Sequence, residues 1–187
     1  MNAPILAFIV SLVAMVLVAA SYFFKSKREY LTFQALGIVF LIASYFFTGA
    51  YFAMVGLGVG LARTLTFYGY EKRKKNAPIS LAVLFSALTL AAYFVVDVWV
   101  LGKGKPLDII YLVALILYAF VFRMRNLKAV RFCALAPTAL SLTYTALNQA
   151  AVFVIVSYAF ELGANLVAIY RYDIKRKAKI TKKNCVG

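Results

Sequence analysis

The chain has 187 residues, of which 65% are hydrophobic and 14% charged, and it carries a formal net charge of +15. Water-soluble domains are nearer half apolar and a quarter charged, so this much apolar surface excludes an ordinary soluble fold. Nucleic acid is excluded as the partner of the positive charge, because the basic residues sit in short clusters between apolar runs and form no basic face on a folded core.

A ~30 Å hydrocarbon layer asks for about 20 apolar residues per helix. The first apolar run, 3–24, has no basic leader and is too long for a signal-peptide core, so it reads as a retained span. Lys25-Ser26-Lys27-Arg28-Glu29 closes it. The second run, 31–70, carries one charge, Arg63, and has room for two spans that reverse at Thr48-Gly49. Glu71-Lys72-Arg73-Lys74-Lys75 follows. A fourth span runs from Ile79 to about 101, then a loop, Gly102-Lys103-Gly104-Lys105-Pro106. The fifth, 109–122, is short and leans on Leu107, on tilt, or on snorkelling of Arg123. After the basic stretch 123–131, the run 132–170 again holds two spans, reversing near Asn148-Gln149. A basic tail begins at Arg171.

Seven spans fit one orientation. With the N-terminus outside and the C-terminus cytoplasmic, eighteen of the twenty-one Lys and Arg residues fall on the cytoplasmic side. Outside lie only Lys103 and Lys105, and Arg63 is within the membrane. The expectation is a multi-pass protein of the cell inner membrane, bathed in bilayer, with anionic lipid against its basic cytoplasmic face.

The two ends of the chain resemble each other. Residues 63–75 and 165–177 both end as Tyr-x-Tyr-acid and a basic run: Tyr68, Tyr70 and Glu71 against Tyr170, Tyr172 and Asp173. Upstream, Phe33, Ala35, Leu36, Ser44 and Tyr45 match Phe132, Ala134, Leu135, Thr143 and Tyr144. The fold expected is all-α, with seven transmembrane helices as two three-helix repeats (1–75 and 107–177). A linker helix and outer loop (76–106) join them, and a basic tail (178–187) follows. Parallel repeats of this kind place a site between the halves, near the midplane.

These residues resemble the YgjV family of bacterial inner-membrane proteins. The likeness lies in residues 41–65, with the aromatic pair, Gly49-Ala50 and Arg63-Thr64-Leu65, and in Glu161, Asn165 and the 170–176 exit. The family implies no particular activity. The three-one-three layout is also similar to SWEET sugar transporters and PnuC vitamin-precursor transporters. This chain departs from them in having no Pro-Gln pair, a single mid-span proline (Pro137) and a single Trp, Trp99.

An ionisable group inside a span is expensive and faces protein or water. Arg63 and Glu161 both fall near mid-membrane, where they could pair across the interface, or hold an anionic or polar ligand and a cation or proton respectively. Asn165 lies one turn from Glu161 on the same face. Gln34, Tyr45, Tyr144 and Asn148, with Ser44 and Ser141, suit the lining of a cavity for a small polar solute; singly, each also suits interhelical hydrogen bonding. Asp97 and Asp108 read as solvated near outer ends, and Trp99 as an interface anchor. Gly56, Gly58 and Gly60 read as a surface for close helix packing.

There is no histidine, and the cysteines are only Cys133 and Cys185. Neither a metal cluster nor a nucleophile–base pair is expected, so no catalytic residue, metal or cofactor is assigned. The function expected is a small-solute transporter or facilitator with a central cavity ringed by Arg63, Glu161 and Asn165. The alternative is a membrane scaffold or sensor that acts through its basic face. Either leaves a homo-oligomer open.

Overall fold

A computed structural model describes residues 3–48, 51–95, 106–147 and 152–175. All the regular structure in them is helical. In order the helices are α1 (Ala3–Ser21), α2 (Lys27–Thr48), α3 (Tyr51–Lys72), α4 (Ile79–Ala92), α5 (Asp108–Arg123), α6 (Leu127–Leu147) and α7 (Val152–Ala168). α7 runs on into a π-helical segment, Ile169–Ile174. The expected helix break at Thr48-Gly49 matches the end of α2 and the start of α3. The loop at 102–105, the reversal at 148–149 and the tail from 178 lie outside the described residues.

The buried and exposed faces explain why these helices form together. Along α1, Ala7, Ser11, Ala14, Val18 and Ser21 are buried at three- and four-residue spacing, with Ala19 beside them. Ile5, Phe8, Ile9, Leu12 and Val16 point outward. Small and polar side chains are therefore inside and large apolar ones outside, the reverse of a soluble helix and the pattern of a helix facing lipid. The same inversion recurs elsewhere: Gln34, Thr64, Thr138, Ser141, Thr145 and Asn165 are buried, while Phe46, Val83, Phe94, Ile109, Val156 and Phe160 are exposed. Among the described residues, three stretches are long and apolar enough to cross a membrane: Lys27–Phe47, Leu127–Leu147 and Val154–Ile174. Ile5–Ser21 and Ile79–Val95 are shorter apolar helices.

Each helix packs on the next in sequence, and α7 returns to α1, so the seven form a ring. α3 also reaches across to α5. α1 and α2 make the closest pair. A Cβ on Gly37 would lie 2.5 Å from Val18 Cγ2 and 3.3 Å from the Ala14 carbonyl oxygen. Around that contact Ser11 and Ser44 share a hydrogen bond, Ser44 donates to the Ala7 carbonyl, and Gln34 Nε2 donates to Ser21 Oγ at 3.0 Å. Gly37 thus performs the close approach that the glycines of α3 were expected to provide. Cβ atoms on Gly56 and Gly58 would meet nothing within 4 Å, and one on Gly60 only the Arg63 guanidinium at 3.8 Å. That expectation is corrected: these glycines leave space rather than fill a contact.

The basic segments meet at one end of the ring. Arg28 Nε donates to Tyr68 Oη at 3.2 Å, and Lys27 pairs with Glu71 at 3.4 Å. Arg123 Nε donates to the Ala77 carbonyl and Arg125 Nη1 to Asn76 Oδ1, each at 3.1 Å. Arg131 joins α6 to the turn that follows α1 and to the π-helical segment. Its Nε and Nη2 donate to the carbonyls of Tyr22 (3.0 Å) and Phe24 (2.5 Å), and its Nη1 pairs with Asp173 Oδ2 at 3.3 Å. The Tyr172 ring lies 5.3 Å from its guanidinium carbon. The carbonyls at the end of α1 have no intrahelical donors, so a buried guanidinium is a fitting cap for them. In both halves of the chain the acid of the Tyr-x-Tyr-acid motif is paired with a base near the start of the preceding helix.

Candidate functional site

Away from the basic end, six of the seven helices surround a cavity of about 270 Å³. Its walls are Tyr45 of α2, Gly56 of α3, Thr89 and Ala92 of α4 with Tyr93 just beyond, and Asp108, Tyr111, Leu112 and Leu115 of α5. Tyr144 and Thr145 of α6 and Val154 and Tyr158 of α7 complete it. The volume is a little below the ~300–1,000 Å³ of drug-sized ligand sites, which suits a small solute.

The helical period puts these side chains in place. On α5, positions 108, 111, 112, 115 and 118 fall on one face; on α7, positions 154, 158, 161 and 165 do the same. Five tyrosines therefore converge around one carboxylate. Asp108 Oδ1 accepts from Tyr144 Oη at 2.8 Å and Oδ2 from Tyr93 Oη at 3.3 Å. The Tyr111 and Tyr144 rings stack, with centroids 5.0 Å apart. Asp108 is 7% exposed, so the expectation that it is solvated is overturned. It opens α5, where a carboxylate also meets the positive end of the helix dipole.

Beneath the cavity lies a second polar layer, centred on Tyr118. Glu161 Oε1 accepts from Tyr22 Oη at 2.7 Å and from Tyr118 Oη at 3.3 Å, and Tyr118 Oη also shares a hydrogen bond with Thr138 Oγ1 at 2.7 Å. Arg63 approaches the same tyrosine from α3. Its guanidinium carbon sits 5.9 Å from the Tyr118 centroid and 5.1 Å from that of Phe122. Its Nη1 donates to the carbonyl of Leu115, a cavity-wall residue, at 3.0 Å, while its buried Nε has no partner. Arg63 and Glu161 thus meet the same tyrosine but form no ion pair with each other, contrary to the pairing considered from sequence. Aromatic faces and a carbonyl, rather than a carboxylate, offset the desolvation of Arg63.

The residues singled out in the sequence therefore separate into groups. Tyr45 and Tyr144 line the cavity. Arg63 and Glu161 belong to the layer below and do not line this cavity, and neither does Asn165. Asn165, fully buried, donates from Nδ2 to the Arg131 carbonyl at 2.9 Å, and its Oδ1 has no partner. Gln34 is engaged between α1 and α2. Asn148 lies outside the described residues. Tyr22, Tyr93, Asp108, Tyr111, Tyr118 and Tyr158 were missed. For Tyr111, Tyr118 and Tyr158 the signal was present, as tyrosines on the stripes that contain Asp108 and Glu161, but an apolar span ending in tyrosines equally describes an interfacial belt.

Inverted burial, apolar outer faces and polar side chains gathered inside a helical ring define a helical membrane protein. Residues 5–176 match the model of the Imp-YgjV family, described as a bacterial inner membrane protein, and the chain belongs to that family. No curated protein and no solved structure gives a match.

Proposed function

We propose that this protein is a small-solute transporter or facilitator of the inner membrane, with the tyrosine-lined cavity as its solute site. The cavity carries the reading: helices from both halves of the chain contribute to one concave site, apolar and tyrosine-lined with a few polar groups. In this reading all seven helices cross the bilayer as two repeats, α1–α3 and α5–α7, joined by α4. The matched ion pairs Lys27–Glu71 and Arg131–Asp173 support the repeat. The gathering of basic segments at one end supports a cytoplasmic C-terminus and an outer N-terminus. The same end offers a cationic surface to anionic lipid headgroups. Rocking of one half against the other would open the basic end, where Arg131 now ties α6 to α1. Glu161, hydrogen-bonded to Tyr22 of the first half and Tyr118 of the second, is placed to sense that movement.

The chain acts as a carrier in this reading and not as an enzyme. A scaffold acting through the basic face is the second reading, favoured by the clustering of Lys27, Arg28, Arg125 and Arg131 at one end. Gly56→Phe separates the two. Gly56 lines the cavity, and a Cβ there meets nothing within 4 Å, so a larger side chain starts into open space. Proteoliposome uptake of labelled amines, sugars and amino acids is the assay. Uptake of the accepted solute should vanish in Gly56→Phe with the melting temperature retained. Uptake no faster than in empty liposomes, or uptake that survives the substitution, would defeat the carrier reading.

A further inference from the structure

The layer beneath the cavity holds an acid that the solute site does not use. We propose that Glu161 binds and releases a proton, through a line of hydroxyls that can reverse, and that this exchange loosens and tightens the joint between the two halves. Glu161 lies well inside Val154–Ile174, a stretch able to cross a membrane, where an ionisable group is expensive and marks a functional site. Among the described residues it forms no ion pair. Arg63 of α3 is turned to the Leu115 carbonyl and two rings, and Arg131 of α6 to two carbonyls and to Asp173 of the π-helical segment. α1 has no titratable side chain. Tyr30 of α2 and Tyr111 of α5 lie within the field of Glu161, and Tyr158 is one turn away on α7.

Counting hydrogens gives the mechanism. Glu161 Oε1, Tyr118 Oη, Thr138 Oγ1 and the Ala134 carbonyl form a line of three contacts, at 3.3, 2.7 and 2.8 Å. The carbonyl only accepts, and each hydroxyl has one hydrogen to give. With Glu161 ionised both ends accept, so two hydrogens serve three contacts, and Thr138 divides its own between Tyr118 and Ala134. A proton on Glu161 supplies the third: Glu161 donates to Tyr118, Tyr118 to Thr138, and Thr138 to Ala134. Tyr22 Oη, 2.7 Å from Oε1, donates in both patterns. It meets a charge in the first and a neutral acid in the second, and the bond to a charge is the stronger. Tyr22 belongs to the first half of the chain, and the line of hydroxyls to the second. Taking a proton from water therefore completes the bonding within the second half and weakens its tie to the first; returning it to water reverses both. That this step frees the halves to rock, coupling solute to proton, rests on the carrier reading; the proton site does not.

The chain has three glutamates, Glu29, Glu71 and Glu161, so full-length protein in bilayers, isotope-labelled at the glutamate carboxyl, gives three carboxyl signals by NMR. The one lost in Glu161→Gln should titrate as pH is varied. If that variant does not fold, Glu29→Gln and Glu71→Gln identify the signal by elimination. Tyr22→Phe removes a donor to the charged form and should tighten proton binding at Glu161 about tenfold. Thr138→Val removes the acceptor that the protonated pattern needs and should weaken it by about the same factor. A signal that does not titrate while the protein stays folded, or the absence of opposite shifts in the two variants, would overturn the inference. In proteoliposomes, an imposed pH difference should concentrate the labelled amine, sugar or amino acid that is taken up, and Glu161→Gln should abolish that accumulation. Titration as expected without uptake of any solute would uphold the proton site and remove the carrier reading. Uptake that Gly56→Phe blocks but a pH difference does not drive would keep the carrier reading and overturn the coupling.

Discussion

Arg131 offers the sharpest test of how the basic end is held shut. It is 3% exposed and spends its guanidinium on two carbonyls of the turn after α1, on Asp173, and on the face of Tyr172. Arg131→Ala leaves those carbonyls without this donor, and it leaves Asp173, whose side chain is 9% exposed, as a buried charge whose ion-pair partner is gone. Removing one member of a buried pair costs about 3–5 kcal/mol, mainly because the other is left charged and desolvated. Asp173→Asn should cost less, about 1–2 kcal/mol, because the guanidinium keeps its carbonyl acceptors. The double variant should fall short of the sum by about 1 kcal/mol or more, since the stranded carboxylate is then gone. Reversible unfolding in mixed micelles measures all three, with Arg131→Lys as a fourth point that retains charge without the planar fork. Loss of less than about 1 kcal/mol in Arg131→Ala, or strict additivity in the double variant, would refute the picture of a single coupled clamp.

Gly37→Ala should lower stability by about 1–3 kcal/mol by forcing α1 and α2 apart, because its Cβ would lie 2.5 Å from Val18. Gly58→Ala, in open space on α3, should be neutral or stabilising by up to about 1 kcal/mol, and the two together distinguish contact from helix propensity. Tyr22→Phe removes the 2.7 Å hydrogen bond to Glu161 and should cost about 1.5–3 kcal/mol. That cost should fall to about 0.5–1.5 kcal/mol in a Glu161→Gln background, where the acceptor remains but is neutral; an unchanged cost there would show that the hydroxyl acts on something else. Glu71→Gln should cost under about 1 kcal/mol, less than Asp173→Asn, because the Glu71 side chain is 24% exposed and its pair is screened. In intact cells, cysteines placed at Lys74 and Arg125 should react only with permeant reagents and one at Lys103 with impermeant ones; the opposite pattern at any of the three would break the assigned orientation.

Helix positions were readable because lipid imposes one requirement on every span, namely an apolar stretch of sufficient length closed by charge. Each described helix begins within about five residues of the start or reversal of the apolar run that predicted it, and even short α5 is a helix from Asp108 to Arg123. Which residue faces inward was harder. Arg63 and Glu161 stand out as charges in apolar surroundings, but a sequence does not say that Tyr118 would touch both. Asp108 was misread because proximity to a helix end suggests water, whereas Tyr93 and Tyr144, 15 residues before it and 36 after it, fold over it. The glycines of α3 illustrate the same limit: a small residue permits both close contact and empty volume, and only the neighbouring helices determine which. Arg131 passed as one more member of a basic cluster, because its partners are backbone carbonyls more than 100 residues away.

The ring has a seam with a bearing on biogenesis. Apart from the α3–α5 contact, its joints link helices that are consecutive in the chain, save one, where α7 meets α1. Pairings distant in sequence are the slow ones to form, so a ribosome delivers six staves before the last can close the hoop. Until then Tyr22 Oη lacks its acceptor on Glu161, and Asn165 cannot yet reach the Arg131 carbonyl. A polypeptide truncated ahead of α7 would keep nearly every neighbouring contact and still be an open palisade, with a polar edge exposed for membrane proteases to find.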